Sequence, residues 1–104
     1  DDYIHEDRVR LELYRRLSRA SEIQEVYAIE EEMEDRFGKP DVVTKQFIEL
    51  IIIKILALNL GIQNISSYEM NITFVSADNT KETIKSPSRD DDDIIATTLR
   101  YLRR

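Results

Sequence analysis

Glu31-Glu32-Met33-Glu34-Asp35-Arg36-Phe37-Gly38-Lys39-Pro40 reads as the last turns of an acidic helix, a glycine stop and a proline restart. Glycine reaches the left-handed backbone that ends helices without a Cβ clash. Proline lacks an N–H, which costs nothing in the first turn of the next helix, so Pro40 is assigned there. Working back, Ile23, Val26, Ile29, Met33 and Phe37 share one face and predict helix two from about Glu22 to Phe37. Gln24, Glu31, Glu32 and Asp35 fall on the other side. Ser21 reads as its N-cap, with Gln24 as the capping-box partner. Earlier still, Val9, Leu13, Leu17 and Ala20 form one stripe, widened by Leu11 and Tyr14, and predict helix one from about Asp7 to Arg19.

Forward of Pro40, helix three is expected from about Asp41 to Leu60. Its polar stripe is narrow (Lys45, Gln46, Glu49, Asn59), which predicts burial on most sides, with Lys54 snorkelling to the edge. Its isoleucine run favours strand, but its length and its Leu, Ala and Lys content favour helix. After Gly61 the period changes. Ile62–Tyr68 reads as an edge strand, 69–71 as a turn, and Ile72–Val75 as a second strand. Ala77–Thr80 reads as a loop, Lys81–Lys85 as a short third strand, and Asp90 to about Leu102 as a last helix burying Ile94, Ile95, Thr98, Leu99 and Leu102. The fold class is α+β: three N-terminal helices, a small antiparallel hairpin or three-stranded sheet, and a C-terminal helix. At 104 residues the chain is expected to form a single domain, 1–104.

The formal net charge of -6 disfavours binding to a phosphate backbone. Arginines at 8, 10, 15, 16 and 19, and again at 100, 103 and 104, are interspersed with acids and read as solvated faces and ion pairs. The lack of cysteine excludes disulfides, thiolate metal sites and cysteine nucleophiles, and fits a reducing, cytoplasmic setting. The acidic N-terminus is not a signal peptide, and Phe47–Leu60 is too short and too charged to span a bilayer. A start at Asp1 rather than Met predicts a piece of a longer protein.

Four consecutive carboxylates, Asp90 to Asp93, point in four directions on a helix and lack the internal glycine of a calcium loop. They read as acids favoured by a helix N-terminus. His5, the single histidine, precedes helix one and reads as an exposed loop residue. No phosphate loop, HExxH motif or nucleophile–base constellation is present, so neither catalysis nor a cofactor is expected. Glu32 and Asp35, three apart on helix two with Glu31 beside them, project from one region. Spacing alone reads them as a solvated face; the alternative is an acidic docking patch for a partner's arginines.

Asp35-Arg36-Phe37-Gly38, Arg10-Leu11 with Tyr14, Asp2-Tyr3-Ile4 and Leu60-Gly61-Ile62 together resemble the C-terminal domain of the bacterial transcription-repair coupling factors (Mfd family). The likeness is strongest from Asp2 to Gly38 and departs after Tyr68, where the family often carries a longer insertion. It implies a non-catalytic, autoinhibitory domain of a double-stranded DNA translocase that displaces stalled RNA polymerase and recruits UvrA. Such a domain docks on an N-terminal UvrB-like module of its own chain and covers the UvrA-binding surface. Contact with RNA polymerase and DNA would fall to other domains of the parent. The resemblance places the docking carboxylates at Glu32 and Asp35. The rival reading is an accessory nucleic-acid-binding domain using the arginines of helix one.

Overall fold

The computed structural model describes residues 2–104, with side chains from residue 7 onward. The order is α1 (Asp2–Arg19), α2 (Ile23–Phe37), α3 (Val42–Asn59), β1 (Ile62–Tyr68), β2 (Asn71–Ser76), β3 (Lys81–Lys85) and α4 (Asp91–Leu102). It is the α+β arrangement expected, with the third strand present. The chain divides into two compact units, one ending at Ile52 and the other beginning at Ile53, so the boundary falls within α3.

In the first unit α1 and α2 pack as an antiparallel pair. Arg10 lies over the ring of Phe37 and Arg16 reaches Glu32, so residue numbers rise on one helix as they fall on the other. Leu13, Leu17 and Ala20 are buried on α1, and Val26, Ile29 and Met33 on α2, as their spacing predicts. The first turns of α3 add Thr44, Ile48, Ile51 and Ile52. Tyr14 is the cross-piece: its ring meets Phe47 edge-on at 5.5 Å and its hydroxyl lies 2.6 Å from that of Thr44.

The helix ends depart from expectation in instructive ways. α1 begins at Asp2 rather than Asp7, since no glycine or proline interrupts residues 2–19. The backbone of His5 is therefore helical, not loop, and its side chain lies outside the described residues. The N-cap of α2 is Glu22, not Ser21. Glu25 rather than Gln24 reaches back, its Oε1 accepting the N–H and hydroxyl of Ser21 at 3.2 and 3.3 Å. Gly38 ends α2 at φ 79°, its N–H bonded to the Glu34 carbonyl at 2.9 Å. Pro40 precedes the third helix instead of entering it, because Asp41 takes the cap: its Oδ1 accepts the Thr44 N–H at 2.8 Å. The Thr44 hydroxyl, which shares a hydrogen bond with that of Tyr14, adds to the backbone bond at Asp41. These bonds hold the Asp41 carboxyl below its usual range, the backbone bond from Thr44 first.

Burial of α3 on most sides is the fold expectation that fails. Val42, Val43, Leu50 and Leu58 are exposed, Val43 by 75%, while Gln46 and Glu49 are half-buried. The helix is apolar nearly all round, and cover is partial: Ile48, Ile52 and Ile55 are buried, as are Ile53 and Ala57 on the opposite side of its C-terminal half, while the side chains between them stay exposed. Lys54 is exposed, as a snorkelling side chain would be.

In the second unit the strands form an antiparallel meander in the order β1-β2-β3. The register places Ile65 opposite Phe74 and Ile72 opposite Ile84, so one face is apolar. The other carries Ser66, Thr73 and Thr83 in a row, with Thr73 and Thr83 hydroxyls 3.0 Å apart. α4 lies against the apolar face, where Tyr101 stacks on Phe74 at 4.2 Å. Thr97 is buried on α4 and Ile94 only half so, and Thr98 returns its hydroxyl to the Ile94 carbonyl at 2.7 Å. The β1–β2 turn is Glu69 and Met70, one residue tighter than expected. Asp78 closes the β2–β3 loop by accepting the Thr80 N–H and hydroxyl at 3.0 and 2.7 Å.

Two outcomes follow for stability. Leu17→Ala removes a side chain with no exposure and is expected to cost about 2–5 kcal/mol in urea unfolding, whereas Leu11→Ala, 55% exposed, stays within about 0.5 kcal/mol. Because the folded Asp41 carboxyl is depressed, its contribution is complete above the unfolded value of 3.8 and fades as pH falls through the folded one. Asp41→Ala should therefore lower Tm at neutral pH, with the gap to wild type closing in strong acid.

Candidate docking face on the second helix

The charge of the chain is segregated. Residues 1–52 carry eight basic and fourteen acidic side chains, and residues 53–104 carry seven of each, so the whole net charge of -6 belongs to the first unit. Within it, α2 and its cap, residues 22–37, hold seven acids against the single base Arg36.

Helix geometry distributes those acids. Val26, Ile29 and Met33 fix the buried side, and each residue steps about 100° around the axis. Glu32 and Arg36 fall on the flank toward α1. Glu30 falls on the flank toward α3, where Lys45 and Glu49 act on it. Glu31 and Asp35 stand between the flanks, directed away from the core, and both are exposed. Neither has an ion-pair or hydrogen-bond partner among the described residues. Like charges four apart destabilise an isolated helix by about 0.2–0.5 kcal/mol, so the pair does nothing for the fold itself.

Glu32 is different. It is half-buried, and both of its oxygens accept from Arg16 Nη1, at 3.0 and 3.2 Å. Arg36 Nε stands 3.8 Å away, one turn on. The sequence placed Glu31, Glu32 and Asp35 in one patch; the structure leaves Glu31 and Asp35 open and ties Glu32 to two arginines. Arg36 was legible as an i,i+4 partner, but Arg16 required the antiparallel register.

The arginines of α1 largely serve local contacts. Arg10 sits 4.7 Å above the Phe37 ring, Arg15 is 3.7 Å from Glu12, and Arg16 holds Glu32. Arg104 covers the Tyr101 ring at 3.9 Å and lies 3.9 Å from Glu82. Asp90 caps α4, Asp91–Asp93 occupy its first turn, and Asp93 accepts the Ser88 hydroxyl at 2.6 Å. Among the described residues no three His, Cys, Asp or Glu side chains are grouped to hold a metal ion, and no helix is long and apolar enough to cross a membrane. A cavity of about 180 Å³ opens beside Arg10, Tyr14, Phe37, Lys39 and Asp41, and one of about 340 Å³ beside Phe74, Lys81, Glu82 and Tyr101.

Residues 1–86 match the TRCF domain family. The chain belongs to that family. It is 48% identical over 101 residues, 97% of its length, to a transcription-repair-coupling factor of Helicobacter pylori strain J99. It is 30% identical over 92 residues, 86% of its length, to that of Rickettsia prowazekii, and 36% over 66 residues, 64% of its length, to that of Mycobacterium bovis. The aligned parts are 10%, 8% and 5% of those proteins, so the chain spans a tenth or less of the curated relatives it matches. No solved structure matches it. The resemblance drawn from the Asp35–Gly38 run and Arg10-Leu11 is thus upheld. The family match extends through the sheet, beyond the Tyr68 at which the likeness was read as departing.

One titration distinguishes this TRCF domain's α2. Burial, then the Glu34 charge, push the Glu30 carboxyl above its usual 4.5. A raised folded value penalises the ionised form, so the penalty is present at neutral pH and disappears as pH falls through the folded value toward the unfolded one. Glu30→Gln is expected to raise Tm at pH 7, with the gain shrinking toward pH 4.5.

Proposed function

We propose that this TRCF domain is a non-catalytic regulatory module of a transcription-coupled repair translocase. It docks, through the acidic face of α2 centred on Glu31, Glu32 and Asp35, on a basic surface of an N-terminal UvrB-like module in its own polypeptide. Docked there, it masks the surface that UvrA would bind. The observation that carries this reading is the concentration of the whole net charge in α2 and its cap, with Glu31 and Asp35 outward and without a partner among the described residues. Charged contacts of this kind supply orientation, specificity and encounter rate more than affinity. A clamp that must release needs a bias of only about 1–3 kcal/mol between its docked and free states. The rival reading, nucleic-acid binding through α1, loses ground because Arg10, Arg15 and Arg16 are engaged locally beside an acidic helix.

Reversing the charge at Glu31, Glu32 and Asp35 together should weaken binding to the UvrB-like module by about tenfold or more at low salt, and flatten its salt dependence. In the parent protein the same changes should raise UvrA binding and ATP turnover. Unchanged affinity and an unchanged salt slope would remove the acidic face from the account, and low-salt gel shifts of duplex DNA would promote the rival.

A further inference from the structure

We propose that the free edge of β1 pairs with the same edge of a second copy of this chain, joining two three-stranded sheets into one of six strands. The inference concerns the second unit and is independent of the docking reading above. Backbone hydrogen bonding shows which groups are free. The N–H of Ser76 bonds to the Thr80 carbonyl and that of Ser86 to the Met70 carbonyl, so the even-numbered residues of β2 bond toward β3. Asn71, Thr73 and Val75 then bond toward β1, where they face Tyr68, Ser66 and Asn64. Ile65 and Ser67, between those positions, turn N–H and C=O away from β2, and no strand stands beyond β1. The bulge between Ile62 and Asn64 limits the regular edge to residues 64–68.

A free edge is normally guarded by charge or proline. β3, the other edge, carries Lys81, Glu82 and Lys85. β1 carries neither a charge nor a proline. Symmetry and charge then select the occupant. Ile65 and Ser67 flank Ser66 evenly, so a two-fold axis at Ser66 sets each Ile65 against Ser67 of the second copy in a hydrogen-bonded pair. Ser66 meets its own counterpart in the non-hydrogen-bonded pair between them, with Cα atoms about 4.5 Å apart. The hydroxyl row of Ser66, Thr73 and Thr83 continues across the axis, and cross-strand hydroxyl pairs stabilise a sheet. The second unit has seven acids and seven bases, so two of them approach without net repulsion. The guarded β3 edges end the sheet, so assembly closes at two copies. One strand per copy is a small contact, so the pairing is weak and depends on concentration.

Sedimentation of the whole chain from about 10 μM to about 1 mM tests this. Salt at about 0.15 M screens the net charge of the first units. The average mass should rise from monomer toward dimer with concentration. Ser67→Pro removes only an outward N–H and should weaken association by about tenfold or more, with circular dichroism unchanged. Ser66→Lys and Ser66→Glu should each abolish association by setting like charges across the axis, and an equimolar mixture of the two should restore it. Thr83→Lys, on the same face but at the guarded edge, should leave it unchanged. A monomer at every concentration, or association indifferent to Ser67→Pro and to both Ser66 variants, would overturn the pairing. A monomer whose binding to the UvrB-like module is weakened by Ser67→Pro would overturn it in favour of a strand of the parent on the same edge.

Discussion

The apolar seam between α1 and α2 is the constraint on which the rest depends. Once Leu13 and Leu17 are buried on one helix and Val26, Ile29 and Met33 on the other, the rotation of α2 about its axis is fixed. Every carboxylate of that helix then has an assigned environment. Glu32 is carried to the α1 flank and meets Arg16; Glu30 is carried to the α3 flank and is partly desolvated; Glu31 and Asp35 are left in water. A rotation of one residue would move Glu31 toward Arg16 and expose Met33, losing apolar burial worth about 1.5–3 kcal/mol for one side chain alone. Packing, not electrostatics, thus decides which charges are available outside.

That division explains how a face so acidic can persist. Seven acids on one short helix would repel one another, and the compensation is one-sided: Glu30 keeps the repulsion of Glu34 and Glu49 on the α3 flank, whereas the arginines stand on the α1 flank. Arg16 and Arg36 neutralise the flank that is half-buried, where an unpaired charge costs most. The outward side remains uncompensated, where water screens it. The second unit, with balanced charge, takes no part in this. Its outer sheet face carries Lys81 and Lys85 beside the hydroxyl row, and in its Phe74–Tyr101–Arg104 stack the arginine stands 3.9 Å from Glu82.

Much of this was legible in the sequence because helical periodicity and helix punctuation are local. The faces of α1 and α2, the Gly38 stop, all three strands and the span of α4 follow from neighbours within a few residues. What was not legible depended on partners distant in sequence. The burial of α3 was overestimated because hydrophobicity says that a residue can be buried, not that something lies opposite to bury it; Val43 and Leu58 stay exposed. The pairing of Glu32 with Arg16 spans sixteen residues and needs the antiparallel register. The starts of α2 and α3 were each misplaced by about one residue because Glu25 and Asp41 compete with Gln24 and Pro40 for roles that composition alone assigns equally well.

The most direct measurement is backbone NMR of the labelled chain titrated with the UvrB-like module. Shifts should concentrate on α2 around Glu31, Glu34 and Asp35, diminish with added salt, and leave the outer sheet face at Ser66, Thr73 and Thr83 undisturbed. Shifts centred on that sheet, or on α1 arginines pointing away from α2, would contradict the account.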